Sequence, residues 1–319
     1  MHYTIMHMPV PVEELREAGW PEPLINEYLG SNGQTQPILE AEHVTFSFTS
    51  KPLLSNISFA VYPGEIFGIL GRSGVGKTTL LNILAGIQHS KGTITTKTTR
   101  QGFSTQYPSF YPDLSVAENC KYFARVAGLE KVRLRTLLER LGLWDTLHTP
   151  AKELSGGMKK KLDLVLALLG DPELLFLDEP TADLDPVSRQ YIWRFLGHLR
   201  DQGKSIIVAT HLLDEAEPHC TRVAVLHDTH IAAIGAPDDF RMRLGMRYVL
   251  RVGFESQQYG ALVSSQQHYW LDDKQVLIGI RTQKEAIQLL QHALQLGESI
   301  QTLSIEQPSL QNIFSLLTQ

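Results

Sequence analysis

One glycine-rich segment constrains this chain more than any other feature of its sequence. It follows an apolar run at 66–70 and precedes a helical pattern that begins at Thr79. It reads Gly71-Arg72-Ser73-Gly74-Val75-Gly76-Lys77-Thr78. Glycines let backbone N–H groups converge on an anion, the lysine adds positive charge, and the hydroxyl can bind a metal ion. A strand, this loop and a helix in that order predict an α/β fold that holds nucleotide phosphates.

A second apolar run carries two carboxylates at its end. Residues 174–177 are typical of a strand buried on both faces, and Asp178 and Glu179 follow it. Asp178 is placed to hold Mg²⁺ with Thr78, and Glu179 to deprotonate an attacking water. The predicted cofactors are therefore ATP and Mg²⁺, and the predicted reaction is ATP hydrolysis. The loop residues that are predicted to contact ATP are Gly71, Ser73, Gly74, Gly76, Lys77, Thr78 and Thr79.

The sequence pattern divides the chain into three parts. Residues 1–37 are rich in proline and polar groups and are predicted to be an extension with one short helix at 12–18. Residues 38–245 are predicted to be an α/β domain with a mostly parallel sheet, an antiparallel β subdomain and a helical insert. Its predicted antiparallel strands contain Val44, Phe46 and Phe48 in one run and Ile57, Phe59 and Val61 in the next; its core strands are 66–70, 174–177, 205–209 and 222–226; its helical insert is 107–170.

The third part, residues 246–319, is predicted to be a small α+β domain. Alternating and helical patterns follow one another along it. The predicted elements are strands at 248–252, 276–280 and 300–305 and helices at 284–296 and from Ser309 onward.

A serine and two glycines open the last helix of the predicted insert. Ser155, Gly156 and Gly157 precede an amphipathic pattern, so they predict a second anion-binding helix start. One chain has little use for two such sites far apart in sequence. They are explained if each completes a nucleotide site on another copy.

Charge and hydropathy exclude several classes of protein. The chain has 29 basic and 34 acidic residues and a net charge of −5, so no nucleic-acid partner is expected. No stretch is long and apolar enough for a membrane-spanning helix, and the N-terminus does not resemble a secretory signal. Cys120 and Cys220 lack metal or redox spacing and are interpreted as ordinary thiols.

Together these motifs resemble the nucleotide-binding domain of an ATP-binding cassette (ABC) transporter. The resemblance covers about residues 38–245 and includes the order and spacing of the motifs. Segment 154–158 resembles the family signature, and 181–186 resembles the D-loop. The remaining matches are Phe48 at the adenine-stacking position, Gln106 at the Q-loop and His211 at the switch histidine.

The resemblance implies a mechanism and partners. Two copies, or this chain and a paralogous ATPase, would close on two ATP molecules. Glu179, His211 and Gln106 would be catalytic, Gln106 would also contact Mg²⁺, and Ser155 to Gly157 would bind ATP across the dimer. The pore would be a separate integral membrane permease, and the chain would be cytoplasmic, peripheral on the inner face of the membrane. The start of the insert at 116–119, the signature and the segment 309–314 resemble stand-alone exporter ATPases.

Alternatives remain open at this point. One is a soluble ABC ATPase of translation or DNA repair, and another is a regulatory cassette that only binds nucleotide. Two departures from the family pattern also stand out. Asp183 replaces a small residue or glycine in the D-loop, where a positive φ would be tolerated by aspartate. Met158 replaces the commoner glutamine of the signature.

Overall fold

The computed structural model describes residues 36–129, 134–243, 248–254, 268–270, 274–280, 282–295, 300–307, 309, 310 and 312. The predicted helix at 12–18 and nearly all of the predicted extension lie outside these ranges. None of the helices in the described ranges has the length and apolar character needed to cross a membrane.

Strands and helices follow one another in the order expected of an α/β chain. The strands are β1 (Leu39–Phe46), β2 (Leu54–Val61), β3 (Ile66–Leu70), β4 (Lys91–Thr96), β5 (Gln101–Ser104), β6 (Leu174–Asp178), β7 (Ser205–Thr210), β8 (Arg222–His227), β9 (His230–Gly235), β10 (Tyr248–Phe254), β11 (His268–Trp270), β12 (Gln275–Ile280) and β13 (Ile300–Glu306). The helices are α1 (Lys77–Leu84), α2 (Val116–Val126), α3 (Leu134–Arg140), α4 (Gly156–Leu168), α5 (Pro186–Asp201), α6 (Leu213–His219), α7 (Pro237–Arg243) and α8 (Gln283–Gln295).

A six-stranded sheet forms the centre of the molecule. Its strand order is β5-β6-β7-β3-β8-β9, and all neighbours are parallel except β8 and β9. The four predicted core strands are all present, which confirms the mostly parallel sheet. Strands β5 and β9 were not predicted, because their short runs carry polar or half-buried residues.

Alternate residues of the central strands enter two separate hydrophobic cores. Ile66 and Leu70 of β3 pack with helices α2 to α6 on one face. Phe67 and Ile69 of the same strand pack with α1 and with β1 and β2 on the other face. Burial on both faces explains why these strands read as continuous apolar runs. The carboxyl ends of β3, β6 and β7 thereby meet at one edge of the sheet, where ligands of such folds bind.

The antiparallel subdomain is a three-stranded sheet of order β2-β1-β4. The prediction that Phe48 continues the first strand is wrong, because β1 ends at Phe46 and residues 48–51 form a bend. Pro52 follows that bend, and a proline has no N–H with which to extend a strand ladder.

The helical insert lies between β5 and β6, the strand that ends in Asp178. Helix α2 begins with a capping box in which Ser115 and Glu118 each satisfy the other's backbone N–H. Short 3-10 turns at Trp144–Thr146 and Ala151–Glu153 connect α3 to α4.

The C-terminal part contains a four-stranded antiparallel sheet of order β11-β12-β10-β13. Helix α8 packs on it through Ala286 and Leu289, forming a separate small core with residues of β10 and β12. These elements match the predicted strands and helix closely, whereas β11 was not predicted. Of the predicted final helix, only Ser309, Leu310 and Asn312 lie within the described residues.

Candidate functional site

The phosphate loop connects β3 to α1, and two of its glycines meet different structural demands. Gly76 has a φ of 109°, a conformation that side chains rarely adopt. A Cβ atom at Gly71 would lie 2.6 Å from the carbonyl oxygen of Leu226 on β8. Helix α1 begins at Lys77, so the free N–H groups of its first turn face the loop. Local structure therefore requires both glycines.

The ammonium of Lys77 lies between the loop and the end of β6. Its Nζ atom donates to the carbonyl oxygens of Gly71 at 3.0 Å and Arg72 at 3.2 Å. The same atom is 3.5 Å from Oε1 of Glu179, and both side chains are nearly buried. Positive charge is thus held where the loop and the predicted catalytic carboxylate meet. Ser73 and Gly74 form the exposed tip of the loop, and Thr79 is half-buried on α1.

Asp178 and Thr78 place oxygen atoms beside the loop. The Asp178 side chain is buried at the end of β6. Burial raises its pKa, while a hydrogen bond from Thr78 opposes that rise. No donor within the described residues reaches the buried Oδ1 atom of Asp178. Buried polar atoms normally have partners, and a carboxylate oxygen beside a hydroxyl is what Mg²⁺ prefers. The residues therefore fit the ion.

Glu179 has partners from three different elements. Its Oε1 atom lies 2.9 Å from Nδ1 of His211 and 3.5 Å from Nζ of Lys77. Its Oε2 atom accepts a hydrogen bond of 3.2 Å from Oγ1 of Thr210. The backbone of Glu179 has a φ of 49°, which is uncommon for a residue with a side chain and marks local strain. The fold thus holds one carboxylate, one imidazole and one ammonium together.

Thr210 is a site residue that the sequence analysis missed. It is fully buried at the end of β7, and its hydroxyl also accepts a hydrogen bond of 3.1 Å from the backbone N–H of Leu212. Threonine is common in strands, so nothing in its sequence context distinguishes it. The only signal was a hydroxyl at the end of an otherwise apolar run, directly before His211.

Gln106 and Phe48 are both exposed. Gln106 lies in the Q-loop, defined here as residues 104–109, which leaves the sheet at the end of β5 next to β6. Phe48 is 72% exposed, and its ring meets that of Phe46 edge-on with 4.8 Å between centroids. An exposed aromatic ring held by a second one offers a face on which a nucleotide base can stack.

The signature segment, residues 154–158, lies at the start of α4. Ser155 caps that helix, and its hydroxyl accepts a hydrogen bond of 3.3 Å from the backbone N–H of Met158. Ser155 and Gly156 are exposed, and Gly157 is half-buried. Met158 packs against the adjacent core, which explains an apolar residue at this position.

The D-loop contains the backbone conformation that aspartate was expected to tolerate. Asp183 has a φ of 61°. One carboxylate on α6, Glu215, holds both flanks of this loop: it accepts hydrogen bonds from Thr181 at 2.6 Å and from Arg189 at 2.9 Å. Glu215 also accepts from the ring N–H of Trp193 at 2.9 Å. Sequence analysis missed Glu215, because its partners lie 22 to 34 residues earlier in the chain.

Comparison with known proteins identifies the family. The family described as "ABC transporter" matches residues 54–182. Nod factor export ATP-binding protein I of Paraburkholderia xenovorans is 38% identical over 215 residues, which are 62% of this chain and 71% of the relative. Linearmycin resistance ATP-binding protein LnrL of Bacillus subtilis is 29% identical over 305 residues, 88% of this chain and 98% of the relative.

A solved structure supports the same assignment. The ATP-binding subunit of an ABC transporter superposes with a TM-score of 0.60 at 28% identity, covering 65% of this chain and 93% of that one. The chain belongs to the family of ABC transporter ATP-binding subunits, which are ATPases coupled to transport.

Proposed function

We propose that this chain hydrolyses ATP at sites shared between two copies and so powers export through a separate membrane permease. Each site combines the phosphate loop of one copy with Ser155, Gly156 and Gly157 of the other. A paralogous ATPase in place of the second copy would use the same geometry. The observation that carries this proposal is the unexplained glycine pair of the signature.

Nothing in the part of the chain that the structure describes requires those glycines. Neither Gly156 nor Gly157 has a positive φ. A Cβ atom at Gly156 would meet nothing within 4 Å among the described residues, and one at Gly157 would come no closer than 3.6 Å, to Oγ of Ser188. Close approach by another molecule explains glycine at an exposed helix start, and helix starts favour anions. A nucleotide held by a second copy satisfies both conditions.

Each residue of the site has a separate proposed role in ATP binding or hydrolysis. Lys77 neutralises phosphate charge, and Thr78 and Asp178 would hold Mg²⁺, with Gln106 contacting it from the Q-loop. The ion would offset charge on the phosphate oxygens. Glu179 accepts a proton from the attacking water, and His211, bound to Glu179 through Nδ1, presents its other ring nitrogen to the γ-phosphate. Phe48 stacks on the adenine.

Export rests on two supports of different kinds. The insert and signature resemble exporter ATPases, and two relatives are an export protein and a resistance protein by name. The permease would be an integral membrane protein that anchors this chain at the inner face of the membrane. Co-purification of a multi-span protein with the full chain supports this placement; ribosomes or DNA in its place would favour the soluble alternatives.

Mixing two inactive variants tests the shared site. Lys77→Ala removes one phosphate loop, and Ser155→Arg blocks one signature, so each homodimer is inactive. A mixed dimer has one intact site, so a 1:1 mixture regains up to about a quarter of the parental rate, because half the dimers are mixed. Recovery by mixing is the expected result. An active Ser155→Arg variant alone would show that one copy suffices.

Glu179→Gln tests hydrolysis against binding alone. The variant keeps the size of the side chain but cannot take a proton, so turnover falls by about 10²- to 10⁴-fold. ATP binding persists, and light scattering detects an ATP-dependent dimer. Parental turnover in this variant would remove Glu179 as the base, and a parental chain without ATPase activity would favour the regulatory alternative.

A further inference from the structure

A carboxylate on α4 holds both ends of the Q-loop. Asp163 is 1% exposed and interrupts an otherwise apolar helix face. Its Oδ2 atom accepts a hydrogen bond of 2.6 Å from Oγ of Ser104, where the Q-loop leaves β5. Its Oδ1 atom accepts from the hydroxyl of Ser109 at 2.7 Å and from the backbone N–H of Ser109 at 3.1 Å. Both ends of the six-residue segment are therefore tied to one side chain.

A lysine on the same helix holds the middle of the Q-loop. Nζ of Lys160 donates a hydrogen bond of 2.7 Å to the backbone carbonyl oxygen of Gln106. Lys160 precedes Asp163 by three residues, so both side chains lie on one face of α4. Burial lowers the pKa of Lys160, while Asp163, Asp178, Asp183 and Glu179 oppose that change. The ammonium of Lys160 thus links α4 to the middle of the Q-loop.

The helix that carries these two residues also carries the signature. Ser155 caps α4, and Asp163 lies about 12 Å further along it at 1.5 Å per residue. Backbone hydrogen bonds hold the geometry of the helix over this length, so a shift of its start is expected to displace Asp163 and Lys160, and with them the Q-loop.

Simple packing does not explain a carboxylate at this position. An apolar residue would suit a buried helix face, whereas a buried carboxylate is costly unless its oxygen atoms are fully hydrogen-bonded. Asp163 meets that requirement through the hydrogen bonds that it accepts from Ser104 and Ser109. The sequence analysis assigned no role to Asp163 or Lys160.

We propose that Asp163 and Lys160 are positioning residues that couple the signature helix to Gln106. In this arrangement the position of α4, which is set by the second copy at Ser155, decides where the Q-loop places Gln106 in the nucleotide site of its own chain. The position of Gln106 in each copy thereby depends on whether the second copy is bound at Ser155. The inference rests on the proposed roles of Gln106 and of the signature.

Three variants of the full chain test the coupling. Asp163→Asn keeps the shape but turns an amide N–H₂ toward one of the serines, Ser109→Ala removes one donor, and Lys160→Met keeps the aliphatic stem without the charge. Each is expected to lower turnover about ten- to a hundredfold with little change in ATP affinity, because Gln106 is misplaced rather than lost. Lys159→Met on the same helix is the matched control and keeps the parental rate.

Hydrogen exchange supplies a readout that does not depend on turnover. The backbone amide at position 109, which donates to Asp163, is expected to exchange at least about tenfold faster in the three variants, since a local opening equilibrium is shifted. Amides of β7 and β8 are expected to keep parental rates. A second control, Asp239→Asn, removes a carboxylate that accepts from the backbone of Ala236 before α7 and leaves the Q-loop unchanged.

Double variants that also carry Gln106→Ala distinguish misplacement of Gln106 from general destabilisation of the fold. If Asp163 and Lys160 act through Gln106, their variants cause no further loss of turnover in the Gln106→Ala background. Losses that multiply would overturn the proposal, as would parental turnover in both Lys160→Met and Ser109→Ala. If Asp163→Asn fails to fold, Lys160→Met and Ser109→Ala still test the proposal. A Glu179→Gln variant that retains turnover would instead refute the proposed function itself.

Discussion

Thr210→Val is the substitution that most directly tests how the fold orients Glu179, the proposed catalytic carboxylate. Valine has nearly the shape of threonine and suits the buried end of β7. It removes one hydroxyl, which donates to Glu179 at 3.2 Å and accepts from the backbone N–H of Leu212 at 3.1 Å. The change therefore alters two hydrogen bonds and leaves the packing of the core intact.

The two lost hydrogen bonds have separable effects. A hydrogen bond to a charged group contributes about 1.5–3 kcal/mol. If about 1.5 kcal/mol of orienting energy is lost from the transition state, turnover falls about tenfold, since 1.36 kcal/mol corresponds to a factor of ten. The N–H of Leu212 loses its acceptor, which lowers the free energy of unfolding by about 1–3 kcal/mol.

Thr210→Ser provides the control that separates the two effects. Serine keeps the hydroxyl and lacks one methyl group, so it lowers the free energy of unfolding by about 1 kcal/mol while most of the turnover is retained. Both variants are compared in steady-state ATPase assays, in binding of a fluorescent ATP analogue and in denaturant unfolding. ATP affinity is expected to stay parental, because the hydrogen bonds of the Thr210 hydroxyl go to Glu179 and Leu212.

One pattern of results would refute this reasoning. If Thr210→Val folds and turns over ATP within twofold of the parental rate, the hydroxyl does not orient Glu179. Equal loss of turnover in both variants would attribute the effect to destabilisation and not to the hydrogen bond.

Three further predictions concern the metal, the D-loop and the thiols. Asp178→Asn removes the charge beside Thr78, so the Mg²⁺ concentration needed for half-maximal ATP hydrolysis rises at least about tenfold; an unchanged Mg²⁺ titration would exclude Asp178 as a ligand. Asp183→Val lowers the free energy of unfolding by about 1–2 kcal/mol, because a β-branched residue is strained at φ of 61°, whereas Asp183→Gly is tolerated; thermal melting measures both. Burial raises the pKa of Cys120 and Cys220 to about 12, so neither forms the reactive thiolate below pH 9. Mass spectrometry after iodoacetamide treatment is expected to show alkylation only after unfolding.

Much of the fold follows from local patterns in the sequence. The core strand at 66–70 was predicted within a residue, because burial on both faces requires a continuous apolar run. Phe48 was misplaced on a strand, because alternation alone does not show where a ladder of hydrogen bonds stops. Strand β5 was missed because Gln101 and the half-buried Phe103 obscure its pattern.

The residues that support the site were harder to predict than the residues that form it. Lys77 and Glu179 were predicted from phosphate chemistry, because they occupy fixed places relative to the loop and to β6. Glu215 and Asp163 act by joining segments that are far apart in the chain, and only their partners show what they do. No periodicity reports such long-range pairs.

The glycine-rich segment at 71–78, with Asp178 and Glu179, is what predicted from the sequence alone that this chain binds and hydrolyses a nucleotide. That information is local, since backbone geometry and phosphate charge limit which residues can form the loop. Only the tertiary structure decided that Thr210 and His211 reach Glu179, and that Asp163 ties the Q-loop to the helix of the signature. These contacts arise because parallel strands end at one edge of the sheet and bring distant segments within hydrogen-bonding distance.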